Sequence, residues 1–142
     1  RLICLMGVFK DKEYGRIAEI IGPLASVIYT VDLPNAARSL PAEKLALALK
    51  PYCSQVRSPE EYMAEENVQD SGEHARSTDE RNGSERPVNG SGEHARSADE
   101  ISCAVREALK SAGQEDVILA FGSLSYLHLV KCAYEKEKGN ER

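Results

Sequence analysis

Three things are missing from this 142-residue chain, and each absence removes a class of function. Basic residues are outnumbered, 18 Lys and Arg against 23 Asp and Glu, and the net charge of -5 comes without a basic cluster. An electrostatic grip on nucleic acid or on an anionic membrane surface is therefore not expected. No apolar stretch approaches the length of a membrane span, and Arg1 to Gly7 is too short and too quickly polar for a signal peptide. The four cysteines, Cys4, Cys53, Cys103 and Cys132, form no CxxC and have no nearby histidine pair, so neither zinc nor a redox couple is indicated. Buried free thiols in a reducing, cytoplasmic setting are expected instead.

The catalogue of catalytic signatures is equally thin. There is no GxGxxG, no GxxxxGK[ST], no nucleophile triad and no recognisable pair of catalytic carboxylates. The chain by itself has no known way to hold a nucleotide. It opens on Arg1 and runs directly into apolar residues, which we read as a piece of a longer protein.

What is present is an alternation of strands and helices. Leu2 to Gly7 (LICLMG) is an apolar run closed by glycine, the pattern of a strand covered on both faces. Ile17, Ile20, Ile21 and Leu24 recur at helical spacing before Gly22-Pro23, and Ser26 to Val31 (SVIYTV) is β-branched and reads as a strand. Pro41 opens a helix carrying Leu45 and Leu49, and a short strand is expected near Ser54 to Val56. Farther on, Ile101, Val105, Ala108, Leu109 and Ala112 mark an amphipathic helix ended by Gly113. Asp116 to Phe121 (DVILAF) reads as the clearest buried strand, and Gly122 turns it into the helix SLSYLHLVKCAYEK. This order predicts an α/β fold with a mainly parallel sheet, three main strands and a short fourth, and four helices.

The aliphatic residues thin out between about Pro59 and Ala95. We therefore divide the chain into 1–56 and 98–142, two parts of one α/β domain, around a polar insertion at 57–97 that contributes nothing to packing. The insertion carries a repeat, SGEHARS, at Ser71 to Ser77 and at Ser91 to Ser97, with a weaker copy at Val56 to Glu61. Each copy contains Ser-x-x-Glu, a capping box for a helix start, and only the last precedes a sustained helical pattern. The expectation is a duplicated helix-start segment whose final copy is used and whose earlier copies lie in a flexible loop. His74 and His94, twenty residues apart without other soft ligands, do not make a metal site.

Ligands of open parallel sheets bind where the strands' C-terminal ends and the helix N-termini converge. That selects three loops. In Gly7 to Glu13, Lys10 or Lys12 can neutralise phosphate or carboxylate oxygens, and Asp11 can orient one of them or cap the next helix. In Asp32 to Leu40, Arg38 can form a paired hydrogen bond to a carboxylate. In Gly122 to Leu124, glycine permits close backbone approach, and the amides of Ser123 and Leu124, with the Ser123 hydroxyl, face an anion at a helix start. A solvated loop, a Pro/Asn turn and a simple N-cap are the plainer accounts of the three. His128, one turn into the last helix, reads as a structural or surface histidine.

Taken together, GVFKDKEY, ARSLPAEKLA and DVILAFGSLSYLHLV resemble the G-x-x-x-DKD, R-A-x-P-A-E-E-L and D-x-(apolar)-x-G-S-L-Y segments of the C-terminal domain of folylpolyglutamate synthase and dihydrofolate synthase, in the Mur ligase superfamily. The resemblance spans most of Leu2 to Ala133 outside the repeat tract. It implies a three-layer Rossmann-like C-terminal ligase domain, incomplete at its N-terminus. The implied activity is ATP-dependent: a folate carboxylate is activated as an acyl phosphate and joined to the amine of L-glutamate. ATP and Mg would be bound mainly by an N-terminal ATPase domain of the same protein, absent here together with the family's Asp-Gly-Ala-His-Asn-Pro segment, so the fragment alone is expected to be inactive. The resemblance places Lys10, Asp11, Lys12, Arg38, Gly122 and Ser123 in the interdomain cleft. Ser123 matches the Gly-Ser-Leu serine, a contact for glutamate or the developing tetrahedral centre. Ser125 is an insertion that displaces Tyr126 and breaks the Ser-Leu-Tyr spacing. A cytoplasmic monomer is implied, with no nucleic-acid or membrane partner. The alternatives are a cell-wall Mur ligase C-terminal domain, which calls for a firmer amino-acid-selecting loop than Asp32 to Arg38, and a non-catalytic flavodoxin-like interaction module.

Overall fold

The computed structural model describes residues 1–69 and 91–140. β1 (Leu2–Met6) alternates Ile3 and Leu5 with Cys4 and Met6, and all four are buried because helices cover both faces. α1 (Tyr14–Ile21) leads to β2 (Val27–Thr30), then α2 (Ala42–Leu49), the two-residue β3 (Val56–Arg57), α3 (Pro59–Gln69), α4 (Ser91–Ser111), β4 (Val117–Phe121), a 3-10 turn at Leu124–Tyr126 and α5 (Leu127–Asn140). The four strands among the described residues are all parallel, in the order β3-β2-β1-β4. The fold is thus α/β with a Rossmann-like parallel sheet, as the alternation predicts.

Three layers follow from the strand faces. Cys4, Met6, Ile28 and Val56 pack with Ala18 of α1 and Leu45, Ala46 and Leu49 of α2. Ile3, Leu5, Val27 and Tyr29 pack on the other side with Tyr62 of α3, Ile101, Ala104, Val105 and Ala108 of α4, and Ala133 of α5. The chain lays down β1, β2 and β3 in one direction and then returns to place β4 on the far side of β1. The reversal puts a topological switch point between the C-terminal ends of β1 and β4.

Several expectations change. The stretch 57–97 is not a non-packing insertion at either end. α3 occupies Pro59–Gln69, with Tyr62 fully buried and its hydroxyl donating to the Thr30 carbonyl at 2.9 Å. The weak repeat copy caps this helix: the Ser58 N–H donates to the Glu61 carboxylate at 3.0 Å, and Pro59 occupies the first helical position. The last copy does not cap at Ser97, because α4 already begins at Ser91. Ser97 instead joins Glu100, Ile101, Ala104, Val105 and Ala108 in one buried helical stripe. The copy at Ser71 to Ser77, with His74, lies outside the described residues, as does the centre of the tract.

β4 is not a fully buried strand. The strand order places it at the sheet edge, where Val117 is 59% and Leu119 41% exposed. A run of apolar residues reports that a strand is apolar, not that both of its faces are covered. Among the described residues the helices number five with α3, and the last is delayed to Leu127 by the 3-10 turn. Cys4, Cys53 and Cys103 are buried free thiols, whereas Cys132 on α5 is exposed. No described helix is long and apolar enough to cross a membrane.

Candidate functional site at the sheet edge

The loops after β1 and β2 are fastened into one surface. Leu40 N–H donates to the Val8 carbonyl at 2.9 Å, Phe9 and Ser39 form an antiparallel bridge, and Lys10 N–H donates to the Arg38 carbonyl at 2.8 Å. Within the second loop, the Asn35 carbonyl accepts from Arg38 and Ser39 N–H, while the Ser39 hydroxyl accepts from Leu33 N–H at 2.9 Å. Short polar side chains bonding to nearby backbone make this a defined turn.

On this base sit the charges. The Arg38 guanidinium lies 4.4 Å from the centroid of the Phe9 ring, a cation–π stack that orients its planar fork. Asp11 is 3.9 Å from Arg38, both side chains being about 60% exposed, 63% and 60% respectively. Lys10 Nζ donates to the Ala37 carbonyl at 3.1 Å, leaving two of its three protons without a partner among the described residues. The Lys12 ammonium pairs with no carboxylate among the described residues. Asp11 does not cap α1, whose cap position is Glu13 without a side-chain bond. Lys10, Asp11, Lys12 and Arg38 therefore share one exposed patch, three cations beside Asp11, with exposed Glu13 next along the first loop.

Gly122 joins this patch through the backbone. Its φ is +113°, and a Cβ built there would lie 2.3 Å from the Gly7 carbonyl oxygen. The glycine is required first by the closeness of the β1 and β4 ends, before any ligand is considered. Ser123 follows in extended conformation and caps the 3-10 turn: its hydroxyl accepts from Ser125 N–H at 3.2 Å and lies 2.9 Å from the Ser125 hydroxyl. No hydrogen bond links Ser123 to Lys10, Asp11 or Arg38. The turn of three residues offers less to an anion than the full helix start expected there.

Tyr126, displaced in the motif comparison, has a structural task. It is fully buried, its hydroxyl within 2.6 Å of the Phe121 carbonyl and 3.0 Å of the Leu5 carbonyl, which share its one proton. It pins the ends of β4 and β1 together beneath the glycines. His128 is exposed, in keeping with a surface histidine.

A second polar cluster, missed by sequence reasoning, lies at the end of β2. Asp32 Oδ1 accepts from Ala42 N–H at 2.8 Å, capping α2 from ten residues upstream. Glu100 of α4, 3% exposed, accepts from Asp32 N–H at 3.3 Å. Burial, and then the neighbouring Asp32 carboxylate, push the Glu100 carboxyl up to about 7. Cavities of about 280 and 400 Å³ flank the pair and share Asp32, Arg96 and Glu100. Only the polar residue inside an apolar helical stripe hinted at Glu100; its partner 68 positions away carried no local signal.

A cavity of about 680 Å³ lies elsewhere: an apolar groove between α4, α5 and β4 lined by Leu109, Ile118, Leu127, Val130 and Tyr134. It holds few groups able to do chemistry, so the loop patch rather than the groove is the candidate site. Among the described residues no three metal-ligating side chains come together. Neither a protein-family model, nor a curated protein, nor a solved structure matches the chain.

Proposed function

We propose that this chain is the C-terminal domain of an ATP-dependent ligase that joins L-glutamate to a folate carboxylate. The observation that carries the reading is the convergence of Lys10, Asp11, Lys12 and Arg38, from two different loops, on one exposed surface beside the β1–β4 switch point. Their order along the chain follows the motifs of the resembling family, and their chemistry suits the reaction. Glutamate brings two carboxylates, for which a stacked, pre-oriented guanidinium is a suitable paired donor. Lysines beside it suit the oxygens of an acyl phosphate and of the phosphate that leaves when the amine attacks.

In this reading ATP and magnesium are held mainly by the N-terminal domain. The residues of the loop patch fit anionic oxygens, and among the described residues no three metal-ligating side chains come together. Lys10, Lys12 and Arg38 close the cleft electrostatically, Gly122 and Tyr126 hold the β4 end against β1, and Ser123 is placed beside them with its hydroxyl already engaged by Ser125. The burden of glutamate recognition therefore moves from Ser123 to Arg38.

The test is steady-state kinetics of the complete ligase. Arg38→Ala should raise the KM for glutamate roughly 10- to 100-fold, the worth of a charged hydrogen-bond pair, with little change in the KM for ATP. Arg38→Lys should recover only part of it, because an ammonium cannot reproduce the paired geometry. Ser123→Ala should have the smaller effect. Unchanged glutamate kinetics in Arg38→Ala would remove the assignment.

A further inference from the structure

The loop that presents Arg38 is closed at its neck by a carboxylate. Asp32, where the chain leaves β2, accepts from Ala42 N–H where α2 begins, so one side chain joins the two ends of the turn. Inside the turn, Leu33 N–H donates to the Ser39 hydroxyl, and the Asn35 carbonyl accepts from Arg38 and Ser39 N–H. On the outer side, the Arg38 carbonyl accepts from Lys10 N–H. Arg38 is thus one residue from a side chain bonded to the residue that follows Asp32. A displacement of Asp32 reaches Arg38 over very few bonds.

Asp32 in turn rests on α4. Its N–H donates to Glu100 at 3.3 Å, the hydrogen bond that joins this loop to α4 among the described residues. Beside that contact, a cavity of about 280 Å³ lies between Ala36, Ser39 and Pro41 of the loop and Arg96 and Ser97 of α4. Another of about 400 Å³ opens on the α3 side of Glu100, against Pro59, Glu60 and Met63. With open space on both sides, close packing does not fix the neck, and the polar contact between Asp32 and Glu100 sets its spacing.

The strength of that contact depends on one proton. The titratable and charged groups around Glu100 are Asp32 of the loop, Glu43 of α2, Glu60 and Tyr62 of α3, and Arg96 on its own helix. Burial and then Asp32 favour the neutral acid, and exposed Arg96 opposes them more weakly. While protonated, the Glu100 carboxyl hydrogen-bonds the Asp32 side chain in addition to accepting from its N–H. Once ionised, it faces the Asp32 carboxylate as a like charge in a poorly solvated place, and the two repel.

We propose that Glu100 is a positioning residue for the glutamate site: its protonated contact with Asp32 holds the neck of the Arg38 loop, and loss of that proton loosens the loop and weakens glutamate binding. The inference rests on the ligase reading and adds a pH control to it.

In the complete ligase, the KM for glutamate should rise roughly 3- to 10-fold between about pH 6 and about pH 8, the worth of one hydrogen bond. Glu100→Gln keeps an acceptor for Asp32 N–H and always carries a donor for the Asp32 carboxylate, so it should hold the low-pH KM across the range. Glu100→Leu should show the high-pH KM throughout. A merely structural Glu100 would change the amount of folded enzyme, and so the apparent kcat, without this pattern of KM against pH. Hydrogen exchange of the 142-residue chain reads the loop without catalysis. Protection of Lys10 N–H, bonded to the Arg38 carbonyl, should fall roughly threefold relative to Ile28 N–H in β2 over the same pH range, and stay level in Glu100→Gln. Arg38→Ala separates the two ideas. Unchanged glutamate kinetics in that variant would remove the ligase reading and the positioning role together. A raised KM in Arg38→Ala, with the parent's pH slope retained in Glu100→Gln or with Lys10 protection alike in the two chains, would overturn the positioning role alone.

Discussion

Two polar clusters stand at the C-terminal edge of the same sheet and differ in almost every respect. Lys10, Asp11, Lys12 and Arg38 are exposed, held at their backbones, and retain donors that no group among the described residues uses. Glu100 is buried and Asp32 half-buried, and one oxygen of each is engaged, in the Asp32 N–H and in the cap of α2 respectively. Both lie where a ligand of an α/β sheet binds, so location alone does not separate site from scaffold. The separation comes from what remains unpaired: spare cationic donors invite an anion, whereas a satisfied buried carboxyl holds α4 against the loop that starts α2.

The largest effect should come from the backbone both clusters depend on. Gly122→Ala places a Cβ against the Gly7 carbonyl at positive φ and should destabilise the domain by about 3 kcal/mol or more, lowering Tm by roughly 10–20 °C in calorimetry.

Next is the pH response of the buried cluster. Glu100 sits near 7 in the folded chain against an ordinary 4.5. The folded state therefore binds its proton more tightly, and the contribution to stability is full below about pH 4.5 and is lost as pH rises through about 7. Denaturant titrations of Glu100→Gln should show a flatter stability profile between those pH values than the parent chain. An unchanged slope would mean that another group carries the transition.

A smaller loss separates cap from charge at Asp32. Asp32→Ala should cost about 1 kcal/mol by uncapping α2, while Asp32→Asn keeps an acceptor for Ala42 N–H and moves the Glu100 transition to lower pH. Equal losses in the two variants, read by urea unfolding, would deny the cap. The smallest stability change is expected in the exposed cluster. Arg38→Ala should stay below about 1 kcal/mol, because a 3.9 Å surface ion pair and an exposed cation–π stack are each worth little.

The sequence reveals these two clusters unequally. LICLMG, SVIYTV and DVILAF announce strands because apolar and β-branched residues run without interruption, and Gly22-Pro23, Pro41 and Gly113 mark helix limits through their backbone constraints. The exposed cluster is legible because its residues directly follow those strands. What is not local is not legible. Glu100 meets Asp32 across 68 positions, Tyr126 pins Leu5 across 121, and the exposure of Val117 follows from a strand order that no stretch of residues encodes. The capping box at Ser97 misled because Ser-x-x-Glu is also two positions of a helical stripe, and the same pattern at Ser58 does cap because Pro59 follows it.

Radiolabelled glutamate incorporation by the complete ligase proposed above tests most directly whether the exposed cluster works on glutamate. The expected result is ATP-dependent transfer of label to folate with release of one phosphate per glutamate, and its loss at limiting glutamate in Arg38→Ala. ATP hydrolysis that ignores both folate and glutamate, or label transfer indifferent to Arg38, would contradict it.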